Sequence, residues 1–435
     1  MSEDRRPDRV TVDIHEGFYF NHRLGLPTVV REYERIETIF RDLQYMACIT
    51  VQVDQLHKVE YRYGSIVYNS LLTTVTDLLK ELKTKAFRGE DIFVVDLFDV
   101  DTFVLFLSAP RETRTHLLNH LETIAERLRV GLEEASARLF YPYLKEFFTP
   151  TIGYALVIHN PMLSPMRLIM QLVASAKSMG EFLAAKQGYR SKYTLQKIII
   201  EQEIQTVFQP IVDLTSFEVL GYEALSRGPE GTEFTNPQRL FSLAAKSGLS
   251  FELDRLCRKK AFERIRHLAT DKKIFVNTLT MTIHDPEFRG VYLKELLEDL
   301  RIKPENVVFE ISETLAIDNY ELFREALRDY TDIGIVHADD DLGTGYAHLE
   351  RIMELSPGYM KVDLSFVRGI EQSFIKQEIM RAMLNLAKGI GSMVIAEGVE
   401  TPEELDKLRR MGVRYGQGYL FARPSEQLPV VNAVL

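Results

Sequence analysis

The sequence has no tryptophan and only two cysteines among 435 residues. Cys48 and Cys257 stand far apart, without metal-type spacing, so neither a disulfide framework nor a thiolate zinc site is expected. That usage fits a reducing compartment. No apolar run approaches the ~20 residues needed to cross a bilayer. The charged start "MSEDRRPDRV" has no apolar signal core. A soluble, cytoplasmic protein with no membrane span is the expectation. Positive charge is also short: 53 Lys and Arg face 63 Asp and Glu, a formal net charge of −10. That balance argues against DNA or RNA polymers as partners, but leaves room for a small phosphorylated ligand held through metal ions.

What is present is an ordinary globular balance, 46% hydrophobic and 27% charged, in a chain long enough for two domains. Residues 1–40 read as an N-terminal arm and a helix near 29–43. Residues 41–190 read as a first domain. Its β-rich runs are "YMACITVQV" (45–53), "DIFVVDLF" (91–98), "TFVLFLS" (102–108) and "PTIGYALVI" (150–158). Helical periods fall at 65–83, 113–135 and 164–180, the last expected to close at Gly180. Asp99-Val100-Asp101 reads as a polar hairpin turn. The order β-α-β-β-α-β is the split, ferredoxin-like α+β arrangement. A basic, then helical stretch at 190–204 forms the joint. Over 191–435, short apolar strands alternate with longer helical segments, the signature of a (β/α)8, TIM-like barrel.

Barrel enzymes carry their chemistry at the C-terminal ends of the strands. Polar residues stand there in turn: Glu223, Asn277, Glu310 with Glu313 further on, Asp340 and Asp341, Lys361 and Asp363, Glu397 and Glu400, and Gln417. So many carboxylates in one mouth cannot all stay ionised without compensation. An oxygen-only donor set without His or Cys favours magnesium or manganese. Two neighbouring aspartates suit a pair of ions, the usual machinery for in-line attack on a phosphodiester. Lys361 could stabilise a phosphate oxygen or orient the attacking water, and Glu397 could bind an ion and take the water's proton. The bland alternative is that acids at strand ends cap the following helices. It can account for a single residue such as Asp363 but not for the whole set in this order. Asp339 reads as a solvated bystander, and His337 and His348 as loop residues.

The segments "EALSR" (223–227), "FVNTL" (275–279), "FEISET" (309–314), "DDLGTGYAHL" (340–349), "KVD" (361–363), "AEGVE" (396–400) and "QGYLFARP" (417–424) occur in this order. Together they resemble the EAL domain family, phosphodiesterases of the bacterial messenger cyclic di-GMP, over roughly residues 198–430. The resemblance implies hydrolysis to linear pGpG with two Mg2+ or Mn2+ ions per site, calcium occupying the site without supporting turnover. It also implies a homodimer formed through this domain. It makes Glu223, Asn277, Glu310 and Asp340 ligands of the first ion, and Asp341 and Glu397 ligands around the second. Lys361 becomes the lysine of the hydrolytic centre, and Glu397 also the general base. Glu313 becomes the acid that steadies the loop after Asp341. Gln209 and Arg227 become substrate contacts, and Asp363, Glu400 and Gln417 supporting or water-positioning groups. Three departures stand out. Gly228 replaces an aromatic residue, Leu342 replaces a phenylalanine, and Ala347 and His348 replace serines. They bear on the guanine platform and on the loop that couples the barrel to a dimer partner, and they remove no metal ligand.

The first domain resembles the GGDEF, diguanylate cyclase fold in degenerate form. Its evidence is the topology, "ITVQVDQLHKVEYRYGS" (49–65) and "ASAKSMG" (174–180). The signature turn reads Asp99-Val100-Asp101-Thr102-Phe103 and lacks the glycines that let a backbone approach a nucleotide. Gln52 replaces a metal-binding aspartate, and Glu60 and Tyr61 replace the guanine-reading pair. The resemblance therefore implies no cyclase activity and a regulatory or dimerising role. Two other functions stay open: an effector that binds cyclic di-GMP without cleaving it, and an interaction module with no nucleotide role.

Overall fold

A computed structural model describes residues 18–97, 99–108, 117–140, 143, 148–266, 271–312, 320–342 and 357–431. The chain divides into two compact units, Met1–Ser191 and Lys192–Leu435.

The first unit opens with a short hairpin, β1 (Phe20–Asn21) and β2 (Leu26–Pro27), and helix α1 (Val29–Leu43). There follow β3 (Tyr45–Gln52), α2 (Leu56–Ala86), β4 (Ile92–Val95), β5 (Thr102–Leu107), α3 (Leu117–Phe140), β6 (Thr151–Ile158) and α4 (Pro165–Ile200). The four longer strands form one antiparallel sheet in the order β4-β5-β3-β6. Successive side chains of β3 point to opposite faces. Ala47, Ile49 and Val51 pack with α2 and α3 residues such as Leu72 and Leu128, while Met46 and Cys48 pack with Phe40 of α1 and Leu172 of α4.

Two expectations need correction here. Helix α2 starts well before residue 65, and Gly64, at φ 81°, marks a kink inside it. Helix α4 does not close at Gly180 but runs on to Ile200. The glycine serves close packing instead: a Cβ on Gly180 would lie 3.0 Å from the Gly153 nitrogen, and one on Gly153 only 1.9 Å from the Ala176 carbonyl oxygen. The hairpin turn is also less solvated than its composition suggests. Asp101 is buried, accepts the Tyr68 hydroxyl and pairs with the His57 ring. Lys177 pairs with Asp96 and Asp99 at 3.1 and 3.3 Å.

The second unit contains a closed barrel of β7 (Gln205–Asp213), β8 (Val219–Arg227), β9 (Lys273–Leu279), β10 (Val307–Ser312), β11 (Val336–Leu342), β12 (Tyr359–Val362), β13 (Met393–Ala396) and β14 (Tyr415–Gln417). Strands β8 to β14 pair in parallel, whereas β7 is antiparallel to both its neighbours, β14 and β8. The sequence pattern shows seven of these strands. It misses β7, which forms a hairpin with β8 instead of following a helix. Around the barrel run α5 (Pro237–Ser247), α6 (Ser250–Arg266), α7 (Gly290–Asp299), α8 (Tyr320–Asp332), α9 (Leu364–Val367), α10 (Phe374–Ile390) and α11 (Pro402–Met411). Local chemistry sets several boundaries: Asn236, Ser373 and Thr401 cap helix starts, and Gly248, Gly391 and Gly412 end helices in the left-handed conformation.

Outward-facing strand residues pack on these helices in two large clusters, one around Phe262 and Phe309, the other around Met360 and Val394. Inward-facing residues form a separate plug of Ile211, Phe275, Val308, Ala338, Tyr359, Ile395 and Tyr415. The barrel centre is thus a packed floor, and chemistry is possible only above it.

Candidate active site

The strand period of two builds the site directly. Two residues beyond the plug on each parallel strand stand Asn277 after Phe275, Glu310 after Val308, Asp340 after Ala338, Lys361 after Tyr359, Glu397 after Ile395 and Gln417 after Tyr415. On antiparallel β7 the same layer holds Gln209, two residues before Ile211 and paired with Glu223 of β8. A polar ring therefore lies on an apolar floor.

Lys361 is its centre, with a side chain only 1% exposed. Its Nζ lies 2.7 Å from Glu397 Oε1, 2.8 Å from Glu310 Oε1, 3.3 Å from Asp340 Oδ1 and 3.4 Å from Glu223 Oε2. The Asn277 amide donates to Glu223 Oε1 at 3.0 Å. The Gln417 amide donates to Glu223 Oε2 at 2.6 Å and to Gln209 Oε1 at 3.0 Å. Gln209 in turn donates to the Ala422 carbonyl.

The ring sorts its protons by environment. Burial pushes Glu223 up, but Lys361 and the Gln417 and Asn277 amides more than offset it, leaving its carboxyl below the usual range. Burial, then the Glu223 charge, hold Glu310 well above that range. Burial also raises Glu397, to about 8, against the pull of Lys361. The ammonium of Lys361, which burial alone would weaken, is held well above its ordinary value by the surrounding carboxylates.

A β-bulge shifts the backbone register at the aspartates. Asp339 pairs with Met360 and Leu342 with Val362, so Asp340 and Asp341 together oppose the single residue Lys361. Asp339 points the other way and is fully buried, which corrects its reading as a solvated bystander. His337 also lies in β11, buried and near the Leu327 carbonyl, not in a loop.

Three other candidates stand apart from the ring. Asp363 caps α9, accepting from Ser365 N at 2.9 Å. Glu400 pairs with Arg368 at 2.9 Å on the surface. Arg227 donates to the Ser226 carbonyl, and burial lowers its basicity. Glu313 lies outside the described residues, as do Ala347 and His348. Gly228 is closed to any side chain, because a Cβ there would lie 2.5 Å from the Phe234 carbonyl oxygen.

Among the described residues no three acidic, His or Cys side chains form a ready-made cation cage; the carboxylates gather on Lys361 instead. The donor set still fits hard cations. It is oxygen-only, and its acids outnumber its single ammonium.

Sequence reasoning missed a buried ion network beneath the loop after Asn277. Arg258, fully buried, lies 2.9 Å from Asp254 Oδ2 and donates to Asp285 Oδ2 at 3.0 Å. Asp254 accepts from Leu279 N and the Thr282 hydroxyl at 3.3 and 2.6 Å, tying that loop to α6. The i,i+4 spacing of Asp254 and Arg258 is visible in the sequence; their burial is not.

Residues 193–424, more than half of the chain, match the family model of the EAL domain. The chain is similar to the probable cyclic di-GMP phosphodiesterase PdeG of Escherichia coli, 28% identical over 314 residues that cover 68% of this chain and 61% of that protein. It is also similar to the cyclic di-GMP phosphodiesterase NbdA of Pseudomonas aeruginosa, 29% identical over 245 residues, 55% of this chain and 31% of that one. The curated relatives it matches are longer proteins, of which it spans between 30% and 61%. Among solved structures it resembles the EAL enzyme Bd1971 in its cAMP- and cyclic-di-GMP-bound form. The identity is 22%, the TM-score 0.52, and the match covers 64% of this chain and 80% of that one, a likeness of fold. By its barrel, its polar ring and the match over residues 193–424, the chain belongs to the EAL domain family.

Proposed function

We propose that this protein hydrolyses one phosphodiester bond of cyclic di-GMP to give linear pGpG. The observation that carries the reading is the ring itself: four carboxylates within 2.7 to 3.4 Å of one buried ammonium, on a floor that leaves only the mouth open. Magnesium or manganese, held by Glu223, Asn277, Glu310 and Asp340 at one position and by Asp341 and Glu397 at a second, would neutralise the excess acid, polarise the phosphate and acidify a water. Lys361, fixed by its four partners, supplies a positive charge to a phosphate oxygen or orients the water. Glu397, raised by burial and still 18% exposed at the side chain, takes the water's proton. Gln209 and Arg227 contact substrate. Gln417, Asp363 and Glu400 support the ring and its loops, and Glu313 steadies the loop after Asp341.

In the same reading the protein is a cytoplasmic homodimer formed through the barrel domain, and calcium inhibits it. The first unit is a degenerate GGDEF-like domain with a regulatory or dimerising role and no cyclase activity. In support, side chains fill the hairpin where that family has glycines, and Lys177 and His57 already pair with its aspartates. The test is incubation of the full chain with cyclic di-GMP and Mg2+ or Mn2+, followed by separation of products. Linear pGpG is expected. Tight binding without any product, with either metal, would leave a binding effector and sink the hydrolase.

A further inference from the structure

Glu404 lies one turn into α11, where the sequence "TPEE" forms a capping box. The Glu404 N–H donates to the Thr401 hydroxyl at 3.2 Å, and Glu404 Oε2 accepts from Thr401 N at 3.1 Å. A capping box needs no more than this. Here Oε2 also accepts from Glu400 N at 2.9 Å, and Oε1 accepts from Gly369 N at 3.0 Å. The residue is 3% exposed. A buried carboxylate holding three N–H groups makes strong, charge-assisted bonds.

These donors belong to two different loops. Gly369, at φ 68°, lies in the turn between α9 and α10, in the connection that follows β12 and its Lys361. Glu400 and Thr401 end the loop that leaves β13 with Glu397. We infer that Glu404 is a positioning residue: it locks these two loops to each other and thereby sets the 2.7 Å approach of Lys361 to Glu397. The inference rests on the hydrolase reading. The one other side-chain link between these loops given above, Arg368 to Glu400, has both side chains well exposed, at 62% and 40%, so solvent screens it. The buried link is the side-chain constraint that adds to the β12–β13 pairing, in which Glu397 N donates to the Val362 carbonyl at 3.0 Å.

The two oxygens of the carboxylate are what the geometry uses. An amide has one acceptor, so Glu404→Gln can keep the cap but must turn an NH2 group toward the Gly369 N–H, donor against donor. Thr401→Ala removes the other half of the cap and leaves the inter-loop link. Four readouts separate the two roles: kcat, KM for cyclic di-GMP, Mn2+ affinity by calorimetry without substrate, and amide hydrogen exchange. For Glu404→Gln we expect kcat at least about tenfold lower with little change in KM. Mn2+ binding should weaken several-fold, and exchange at Gly369 should quicken. Thr401→Ala should lower the melting temperature at least as much, with kcat within about twofold of the parent. Equal kcat losses in the two variants, or parental kcat and Mn2+ affinity in Glu404→Gln, overturn the inference. If the parent protein gives no pGpG, the hydrolase reading fails by itself. The clamp is then judged on Mn2+ affinity and Gly369 exchange, and no change in either overturns it. Should Glu404→Gln not fold, Glu404→Asp reads the same link, because it keeps a capping carboxylate but falls a methylene short of Gly369.

Discussion

Lys361 sets one buried ammonium against four carboxylates, two of them less than 10% exposed at the side chain. Removing one partner of a buried ionic cluster costs roughly 3–5 kcal/mol, because the remaining charges are left uncompensated. Lys361→Met should therefore melt well below the parent in EDTA. Added Mn2+ should recover part of that loss, since a cation that binds only the folded state stabilises it by mass action. Turnover should still fall by about 10²–10³-fold, the range for losing one charge-stabilising donor. A melting curve indifferent to both the substitution and Mn2+ would contradict this arrangement. A second residue gives the pH dependence. Burial lowers the His337 pKa to about 4, against about 6.5 unfolded. The unfolded chain thus takes up the proton first, so stability is full above pH 6.5 and declines as pH falls toward 4, by at most on the order of 3 kcal/mol. Urea titrations should show His337→Gln with a flatter decline over that window than the parent. At this scale the ring was legible in the sequence, because a period of two sets each polar residue a fixed step beyond an apolar one. The burial of Asp339 and Arg258 and the reach of Glu404 were not, since each depends on which helix covers which strand.

Elements were legible where their own chemistry fixed them and illegible where a neighbour did. Helix α1 and strands β3 and β6 lie close to where their patterns put them. Helix α4 overran Gly180 because that glycine answers to the backbone of β6, not to the helix end. Strand β7 was missed because it joins β8 through a hairpin, against the strand–helix rhythm of the rest. The loop after β8 makes the point testable. Its Gly228 departs from the aromatic of the family pattern, which suggests an open gap in a guanine platform. The structure fills that space with the backbone of Phe234, whose ring is buried. Gly228→Tyr should therefore overpack the loop and destabilise the protein by about 1–3 kcal/mol, without lowering KM for cyclic di-GMP. A stable variant with a lower KM would show that the platform site is open after all.

Each unit of the molecule carries its own interior. The clusters around Ile49 and Phe40 draw only on residues up to Ala176, and those around Phe309, Met360, Leu195 and Phe275 only on residues from Leu195 onward. Among the described residues no apolar cluster mixes the two. Even the C-terminal end of α4 follows this division, since its Leu195 and Ile198 are buried against Leu253 and Leu256 of the barrel unit. A chain divided in this way should survive being cut between its units, because every apolar cluster keeps all its members on one side of the cut. Every member of the polar ring, the buried Arg258 network and the Glu404 clamp lies on the barrel side of the division. A fragment beginning at Lys192 should therefore fold cooperatively and form pGpG with kcat within about tenfold of the full chain, any further difference measuring what the first unit adds by regulation or association. A fragment that folds, binds Mn2+ with the affinity of the full chain and yet makes no product would place an essential part of the catalytic arrangement in the first unit.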